Sequence, residues 1–114
     1  MKLEEIVTAA ELKVWTAPQR LDTEITGGYA SDLLSCVMAK AQQGNLWVTL
    51  QAHANIVAVA SFLDLAGIII TEGRKPDPRA VEKAKERDVC LMTTDHATFT
   101  VVAELAKLGV PGVD

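Results

Sequence analysis

The chain of 114 residues is close to the common size of one domain and too short for two, so we expect residues 1–114 to form a single domain. Hydrophobic residues make up 49% of the chain and aromatic residues only 4%, which is typical of a globular protein with an aliphatic core. The net charge of -4 argues against a nucleic-acid-binding module that relies on attraction to phosphates.

The cysteines and the apolar runs indicate the compartment. Cys36 and Cys90 lie far apart in apolar runs with no Cys-x-x-Cys pair, which excludes a zinc ribbon or thioredoxin-type site and predicts buried free thiols. The first residues lack the apolar stretch of a secretory signal. The longest uncharged run, residues 41–63, contains too many polar side chains to cross a bilayer. We therefore expect a soluble, cytoplasmic protein with no membrane association.

Hydrophobic periodicity and turn residues predict alternating helices and strands. In chain order the predicted elements are a helix over 2–10, strands over 12–15 and 24–26, a helix over 32–41, a strand over 46–50, a helix over 56–66, a strand over 68–70, a helix over 79–88, a strand over 89–92, and a last helix capped by Asp95 and running through Leu108. From residue 46 onward a helix follows each strand, which indicates parallel pairing with right-handed crossovers. The predicted fold is a three-layer α/β domain with a mostly parallel central sheet and helices on both faces.

Glycines and capping residues set several of these boundaries. Gly27 and Gly28 are expected to end the strand over 24–26 in a tight turn, because glycine accepts positive φ. Ser31 is a favourable N-cap for the next helix, and Asp32 in its first turn suits the positive end of the helix dipole. Pro78 fits the first turn of the helix over 79–88, whose charged residues are expected to form a solvated face.

The middle of the chain is almost free of charge. Between Leu33 and Thr71 the only charged residues are Lys40 and Asp64. A domain of this size has a limited interior, so this stretch predicts a homodimer or higher oligomer with the helix over 56–66 as the candidate interface. Shielding of that helix by its neighbours within one chain would explain the pattern equally well.

Ligands of parallel α/β sheets bind beyond the carboxyl ends of the strands, where segments 26–32, 49–55, 71–74 and 93–96 are expected to meet. In the first segment, paired glycines and the free amides of the next helix could hold an anion, although neither a Walker loop nor Gly-x-Gly-x-x-Gly is present. In the second, alternating polar side chains share one face and suit a sugar or a base. The candidate ligand-binding residues are Thr26, Gly27, Gly28, Ser31, Asp32, Thr49, Gln51, His53 and Asn55.

Purely structural interpretations stand beside these. The first segment could be a tight turn with a capped helix, and the second a polar loop that caps the following helix. Arg74 and Lys75 could meet a phosphate or form a solvated loop, and segment 93–96 is most simply an N-cap. No spacing brings His53 and His96 into a metal site, and the cysteines are expected to be too buried for a Cys–His nucleophile. We therefore expect no cofactor, no metal and no catalytic residue.

The segment Leu21-Asp22-x-x-Ile25-Thr26-Gly27-Gly28-Tyr29-Ala30-Ser31-Asp32-Leu33-Leu34-Ser35 resembles the DRTGG domain family. The name motif is matched by Asp22, Thr26, Gly27 and Gly28, while Thr23 stands where an arginine is expected. The resemblance extends along nearly the whole chain, including Trp47-Val48-Thr49, the loop over 51–55, Ala58-Val59-Ala60, Ile68-Ile69-Ile70 and Gly73-Arg74-Lys75-Pro76. DRTGG domains occur alone or beside CBS domains and phosphotransacetylase-type enzymes. Their fold is similar to the N-terminal domain of HPr kinase/phosphorylase and, more distantly, to the uridine-nucleotide-binding N-terminal domain of Mur ligases.

The resemblance implies an accessory, regulatory α/β domain without catalysis. Kinase activity does not carry over, because the P-loop of HPr kinase lies in a different domain and is absent here. We therefore expect a non-catalytic module that binds a nucleotide or similar anion near the Thr-Gly-Gly turn. The alternative is a structural or protein-interaction domain that acts through homo-oligomerisation or docks to a partner enzyme. An enzyme using His53 is a third hypothesis.

Overall fold

The apolar strands and amphipathic helices come together around one sheet in a computed structural model, which describes residues 1–114. The elements are α1 (Leu3–Ala9), β1 (Lys13–Val14), a 3₁₀ helix (Pro18–Asp22), β2 (Gly27–Ala30), α2 (Leu34–Lys40), β3 (Asn45–Thr49), α3 (Asn55–Leu63), β4 (Gly67–Ile70), α4 (Pro78–Arg87), β5 (Leu91–Thr93) and α5 (Thr98–Lys107). None of the helices combines the length and the apolarity that crossing a membrane requires.

The sheet has the strand order β1-β5-β4-β3-β2. Strands β2 to β5 are parallel, and β1 joins the edge antiparallel to β5. The helices α2, α3 and α4 pack on one face of the sheet, and α1 and α5 pack on the other. The predicted three-layer α/β fold with a mostly parallel sheet is therefore confirmed.

Burial on both faces explains the continuous apolar run of β4. Ile68 and Ile70 pack toward α2, α3 and α4, whereas Ile69 between them packs toward α1 and α5. All three are fully buried, and a strand buried on both faces needs no polar residue at alternate positions. Trp47 of β3 is also fully buried, and its indole Nε1–H donates to the carbonyl oxygen of Ser31 at 2.8 Å.

The first half of the chain differs from prediction at β2. Residues 24–26 do not form a regular strand, and Gly27 and Gly28 lie inside β2 rather than in a tight turn. Neither glycine has a positive φ. The helix after β2 begins at Leu34, because the Ser31 hydroxyl accepts the Leu33 N–H at 3.1 Å in a turn that precedes the helix. The predicted N-cap role of Ser31 and first-turn position of Asp32 were therefore wrong.

Two predicted helix ends also shift. The helix predicted over 56–66 ends at Leu63, because Asp64 takes a left-handed φ of +55°. The last helix begins at Thr98, so Asp95 does not cap it. A carboxylate oxygen of Glu72, from the loop after β4, instead accepts the Thr98 N–H at 2.9 Å. A contact between separate loops therefore takes the place of the predicted local cap.

The two cysteines are free thiols, as predicted, but their burial differs. Cys90 is 1% exposed, and its removal from water raises the pKa of the thiol to about 11. Cys36 on α2 is only partly buried, so the prediction of a buried thiol was wrong there.

Candidate functional site

The carboxyl ends of β2 and β3 bring four of the predicted ligand-binding residues together. One carboxylate oxygen of Asp32 accepts the Thr49 hydroxyl at 2.8 Å and the Leu50 N–H at 2.6 Å. The Gln51 amide donates to the Asp32 carbonyl oxygen at 3.0 Å, and the adjacent Ser31 closes the turn before α2. These bonds satisfy the buried hydroxyl of Thr49 and hold the start of the loop that leads to α3.

The same loop places His53 and Asn55 at the start of α3. The His53 Nδ1 accepts the Asn55 N–H at 3.1 Å. A neutral imidazole that accepts at Nδ1 carries its proton on Nε2, so the outer edge of the ring is a hydrogen-bond donor. Both residues are exposed, and His53 has no carboxylate partner. Their polar groups are therefore available to a bound molecule.

A cleft of about 510 Å³ opens between the first turns of α3 and α4, and we call it the α3–α4 cleft. It is lined by His53, Ala54, Asn55, Ala58, Asp77, Pro78, Arg79 and Lys83. The volume lies within the range of about 300–1,000 Å³ that is usual for small-molecule sites. The cleft also lies at the carboxyl edge of the sheet, where ligands of parallel α/β folds bind.

The charge distribution of the α3–α4 cleft favours an anion. Arg79 and Lys83 form no ion pair, and they outnumber the single carboxylate of Asp77. The first turn of α4 contains no acidic residue, although acidic side chains are favourable at that end of a helix. Cations held at the positive end of a helix dipole attract a negatively charged group.

The other three predicted residues lie at the opposite end of the sheet, where the parallel strands begin. The Thr26 hydroxyl donates to the Gln43 carbonyl oxygen at 2.7 Å and accepts from the Asn45 amide at 3.0 Å. Gly27 and Gly28 begin β2, whose four residues span about 10 Å toward the carboxyl edge. The structure therefore does not bring Thr26, Gly27 and Gly28 to the other six candidates.

Close packing accounts for the two glycines. The carboxyl-terminal segment crosses the open edge of β2, where the Gly28 N–H donates to the Pro111 carbonyl oxygen at 2.8 Å. A Cβ atom at Gly27 would lie 3.0 Å from that oxygen and 3.2 Å from the Asn45 amide nitrogen. Real Cβ contacts are rarely so short, so the glycine allows the chain to cross at this distance.

Sequence reasoning missed Arg79 and Lys83, which it assigned to a solvated helix face. A signal was available in their pattern. Arg79 follows Pro78 directly, Lys83 lies one turn later, and the first turn of the helix contains no acidic residue. A cation in the first turn is unfavourable to the helix dipole, and like charges four residues apart repel each other.

The fold and the cleft define a three-layer α/β domain with a cationic cleft at the carboxyl edge of its parallel sheet. The family model for the DRTGG domain matches residues 19–108, and the chain belongs to the DRTGG domain family. The resemblance drawn from the Thr-Gly-Gly segment is therefore confirmed.

A solved structure has a similar fold. It contains the CBS and DRTGG domains of the regulatory region of Clostridium perfringens pyrophosphatase, complexed with the activator diadenosine tetraphosphate. It shares 18% identity with this chain at a TM-score of 0.74, and the alignment covers 91% of this chain. The chain spans 45% of that structure's length. No curated protein matches the sequence.

Proposed function

We propose that the protein is a non-catalytic regulatory module that binds a nucleotide or similar anionic small molecule in the α3–α4 cleft. The observation that carries this proposal is the unpaired Arg79 and Lys83 beside His53 and Asn55 in an open cleft. The family supports the regulatory role, because the DRTGG domain of the similar structure belongs to a regulatory region with a nucleotide activator. That region also contains CBS domains, so we argue the position of the ligand from this chain's own residues.

The lining suggests how such a ligand is oriented. Phosphate oxygens bind Arg79 and Lys83 near the amino end of α4, where charge-assisted hydrogen bonds are strong. The sugar or base contacts the Nε2–H of His53 and the side-chain amide of Asn55. The remaining predicted residues at this edge, Asp32 and Thr49 among them, hold the loop in place. This arrangement moves the proposed site away from the Thr-Gly-Gly segment.

The absence of catalysis is part of the proposal. A general base or nucleophile requires a partner that activates or orients it. The only hydrogen bond that the His53 side chain makes is the one it accepts from the backbone N–H of Asn55, and no cysteine lines the cleft. Turnover that is lost in His53→Ala would contradict this part of the proposal.

Calorimetry with adenine and uridine mono-, di- and triphosphates and dinucleotides tests the proposal. We expect one nucleotide class to bind, and we expect Arg79→Ala with Lys83→Ala to weaken binding about tenfold or more, because each removes a charged hydrogen bond. The matched control is Lys85→Ala with Arg87→Ala, which removes equal charge from the last turn of the same helix. Equal weakening in both variants would indicate only general attraction, and no binding of any nucleotide would overturn the proposal.

The alternative function, self-association, is favoured by one specific observation. Phe62 on α3 is 77% exposed and Met38 on the neighbouring α2 is 42% exposed, within the stretch that is nearly free of charge. We propose a second copy of the chain as the occupant of this surface, which retains the candidate interface expected from the sequence. Sedimentation should then show a dimer that Phe62→Asp dissociates and Phe99→Asp does not, because Phe99 is 84% exposed on the opposite face.

Two further expectations stay proposals. We take residues 1–114 as one domain, because Leu3 and Ile6 of α1, which precede the family match, are fully buried in the core beneath β3, β4 and β5. A cytoplasmic location stays a prediction.

A further inference from the structure

We propose a second anion site, separate from the α3–α4 cleft and specific for the phosphate chain of a small molecule, at the carboxyl ends of β4 and β5. We call it the β4–β5 cleft. It measures about 390 Å³ and is lined by Glu11, Lys13, Trp15, Gly73, Arg74, Lys75, Thr93, Thr94 and Asp95. This inference does not depend on the function proposed above.

The topology of the sheet creates this cleft. After β4 the chain passes to α4, whose Ala80 and Ala84 pack on the same face as α2 and α3. After β5 it passes to α5, whose Val101 and Leu105 pack on the opposite face with α1. The two chain segments therefore leave the sheet toward opposite faces, and the cleft opens beside them at the carboxyl end of β5, where β1 begins. Ligands of parallel α/β sheets bind at this end of the strands.

The side chains that line the cleft suit phosphate. Lys13 comes from β1, and Arg74 and Lys75 come from the loop after β4, so three cations converge from two elements. None of them has a carboxylate within ion-pair distance. The Lys13 ammonium lies 4.4 Å from the centre of the Trp15 ring, which holds it at the rim without neutralising its charge.

The acidic residue that precedes these cations in the loop is engaged elsewhere. Glu72 directs its carboxylate to the Thr98 N–H at the start of α5. Asp95 and Glu11 line the cleft, so the cations outnumber the carboxylates three to two. This balance attracts an anion with several negative charges more strongly than a singly charged one.

The frame of the cleft is fixed before any ligand binds. The Glu72 N–H donates to the His96 carbonyl oxygen at 2.8 Å, and the Gly73 N–H donates to the Thr94 carbonyl oxygen at 3.0 Å. The Trp15 indole N–H donates to the Thr93 hydroxyl at 2.8 Å. These bonds tie together both loops and the edge strand, so binding requires little further ordering of the backbone.

Two residues in or next to the lining of the β4–β5 cleft have a positive φ. Glu72 has a φ of +64° and Glu11 a φ of +54°, in the left-handed region that residues with long side chains rarely occupy. At Glu11 this conformation follows the last turn of α1, where left-handed residues are common, and the Leu12 N–H donates to the Val7 carbonyl oxygen at 3.0 Å. At Glu72 it is held by the hydrogen bond from the Glu72 N–H to the His96 carbonyl oxygen.

The tryptophans provide a reporter for the test. The chain contains only Trp15 and Trp47, so a ¹⁵N-labelled sample shows two indole N–H resonances. Trp15 lines the cleft, whereas Trp47 is fully buried and bonded to Ser31. We would titrate inorganic triphosphate, ATP and adenosine in separate experiments without divalent cations. We expect triphosphate and ATP to shift the Trp15 resonance to saturation, Trp47 to stay in place, and adenosine to have no effect.

Variants of exposed residues locate the site. We expect Arg74→Ala with Lys75→Ala to weaken the triphosphate affinity measured at the Trp15 resonance about tenfold or more, since hydrogen bonds to charged groups are lost. Arg79→Ala with Lys83→Ala should leave that affinity unchanged, and a native amide spectrum shows that each variant is folded. The proposal is overturned if triphosphate leaves Trp15 unmoved, if adenosine alone shifts it, if the Arg74 and Lys75 variant binds as tightly as wild type, or if the Arg79 and Lys83 variant abolishes the shift.

Discussion

The polar groups at the amino end of the parallel sheet are bonded within the fold, whereas several cations at its carboxyl end are unpaired. At the amino end, Thr26 and Asn45 bond to one another, and Gly28 bonds to the segment that crosses it. At the carboxyl end, Arg74 and Arg79 line open clefts and form no ion pair. The difference teaches that polar residues at the first end complete the fold, whereas cations at the second remain available to a ligand.

The Thr-Gly-Gly part of the family signature lies apart from the proposed ligand site. Thr26, Gly27 and Gly28 belong to the signature segment, yet they lie at the closed amino end. Changes at this end should therefore reduce stability, and changes of the unpaired cations should reduce binding.

The largest loss of stability is expected for Gly44→Ala. Gly44 has a φ of +82°, and a Cβ atom there would lie 2.7 Å from a carbon of the Thr26 side chain. Left-handed strain and overpacking together should lower the free energy of unfolding by about 2–4 kcal/mol, measured by urea denaturation. Gly109→Ala is the control, because its φ is +94° with no atom within 4 Å of the added Cβ. Equal losses in the two variants would contradict the packing role of Thr26.

Cys90, at the amino end of β5, should make the free energy of unfolding sensitive to alkaline pH. Burial raises the pKa of its thiol from 9.0 to about 11 in the folded state. The unfolded chain therefore loses the thiol proton first, so stability falls as pH rises from about 9 to 11. The Cys90 contribution to this loss should reach about 2–3 kcal/mol. Urea denaturation of wild type and of Cys90→Ala at several pH values in this range should show this contribution in wild type only. Parallel pH curves for the two proteins would contradict the raised pKa.

The neighbouring residues Gly27 and Gly28 are expected to differ in the stability that is lost when each is replaced by alanine. Gly27→Ala brings a Cβ atom to 3.0 Å from the Pro111 carbonyl oxygen, whereas Gly28→Ala leaves 3.4 Å to a methyl group of Val110. We expect Gly27→Ala to lose about 1–2 kcal/mol of stability and Gly28→Ala to change it by less than about 0.5 kcal/mol, because alanine favours a strand over glycine. Thermal unfolding measures both. A greater loss in Gly28→Ala would show that the crossing segment is not what requires Gly27.

The overall fold could be predicted because its signals are local. The apolar run of β4 reflects burial on both faces of the strand, and the charged face of α4 reflects exposure that recurs at the helical period. The error at Gly27 and Gly28 has a different origin. A turn and a strand start both accept glycine, and what decides here is a contact with Pro111, far along the chain. Local patterns do not contain that information.

The candidate site was predicted in part for the same reason. His53 and Asn55 follow an apolar strand, so their place at the carboxyl edge follows from the parallel fold. Arg79 and Lys83 look like a solvated helix face until α4 is packed beside α3. Glu72 caps α5 from another loop, which spacing alone does not reveal.

The smallest expected change in the free energy of unfolding is a gain rather than a loss. It tests most directly whether the unpaired cations at the carboxyl end, unlike the bonded polar groups at the amino end, are dispensable for stability. Arg79→Ala with Lys83→Ala should raise the free energy of unfolding by up to about 0.5 kcal/mol, because it removes like charges one turn apart at the positive end of α4. Lys85→Ala with Arg87→Ala removes the same charge from the other end of that helix and should lower it by about 0.3–1 kcal/mol. Urea denaturation at low salt compares both variants with wild type. A loss of stability in the first variant as large as that in Gly44→Ala would mean that the cleft cations hold the fold together, as the polar groups at the amino end do. A small gain would mean that their arrangement disfavours the free protein, and binding of an anion is then the physical role that their position supports.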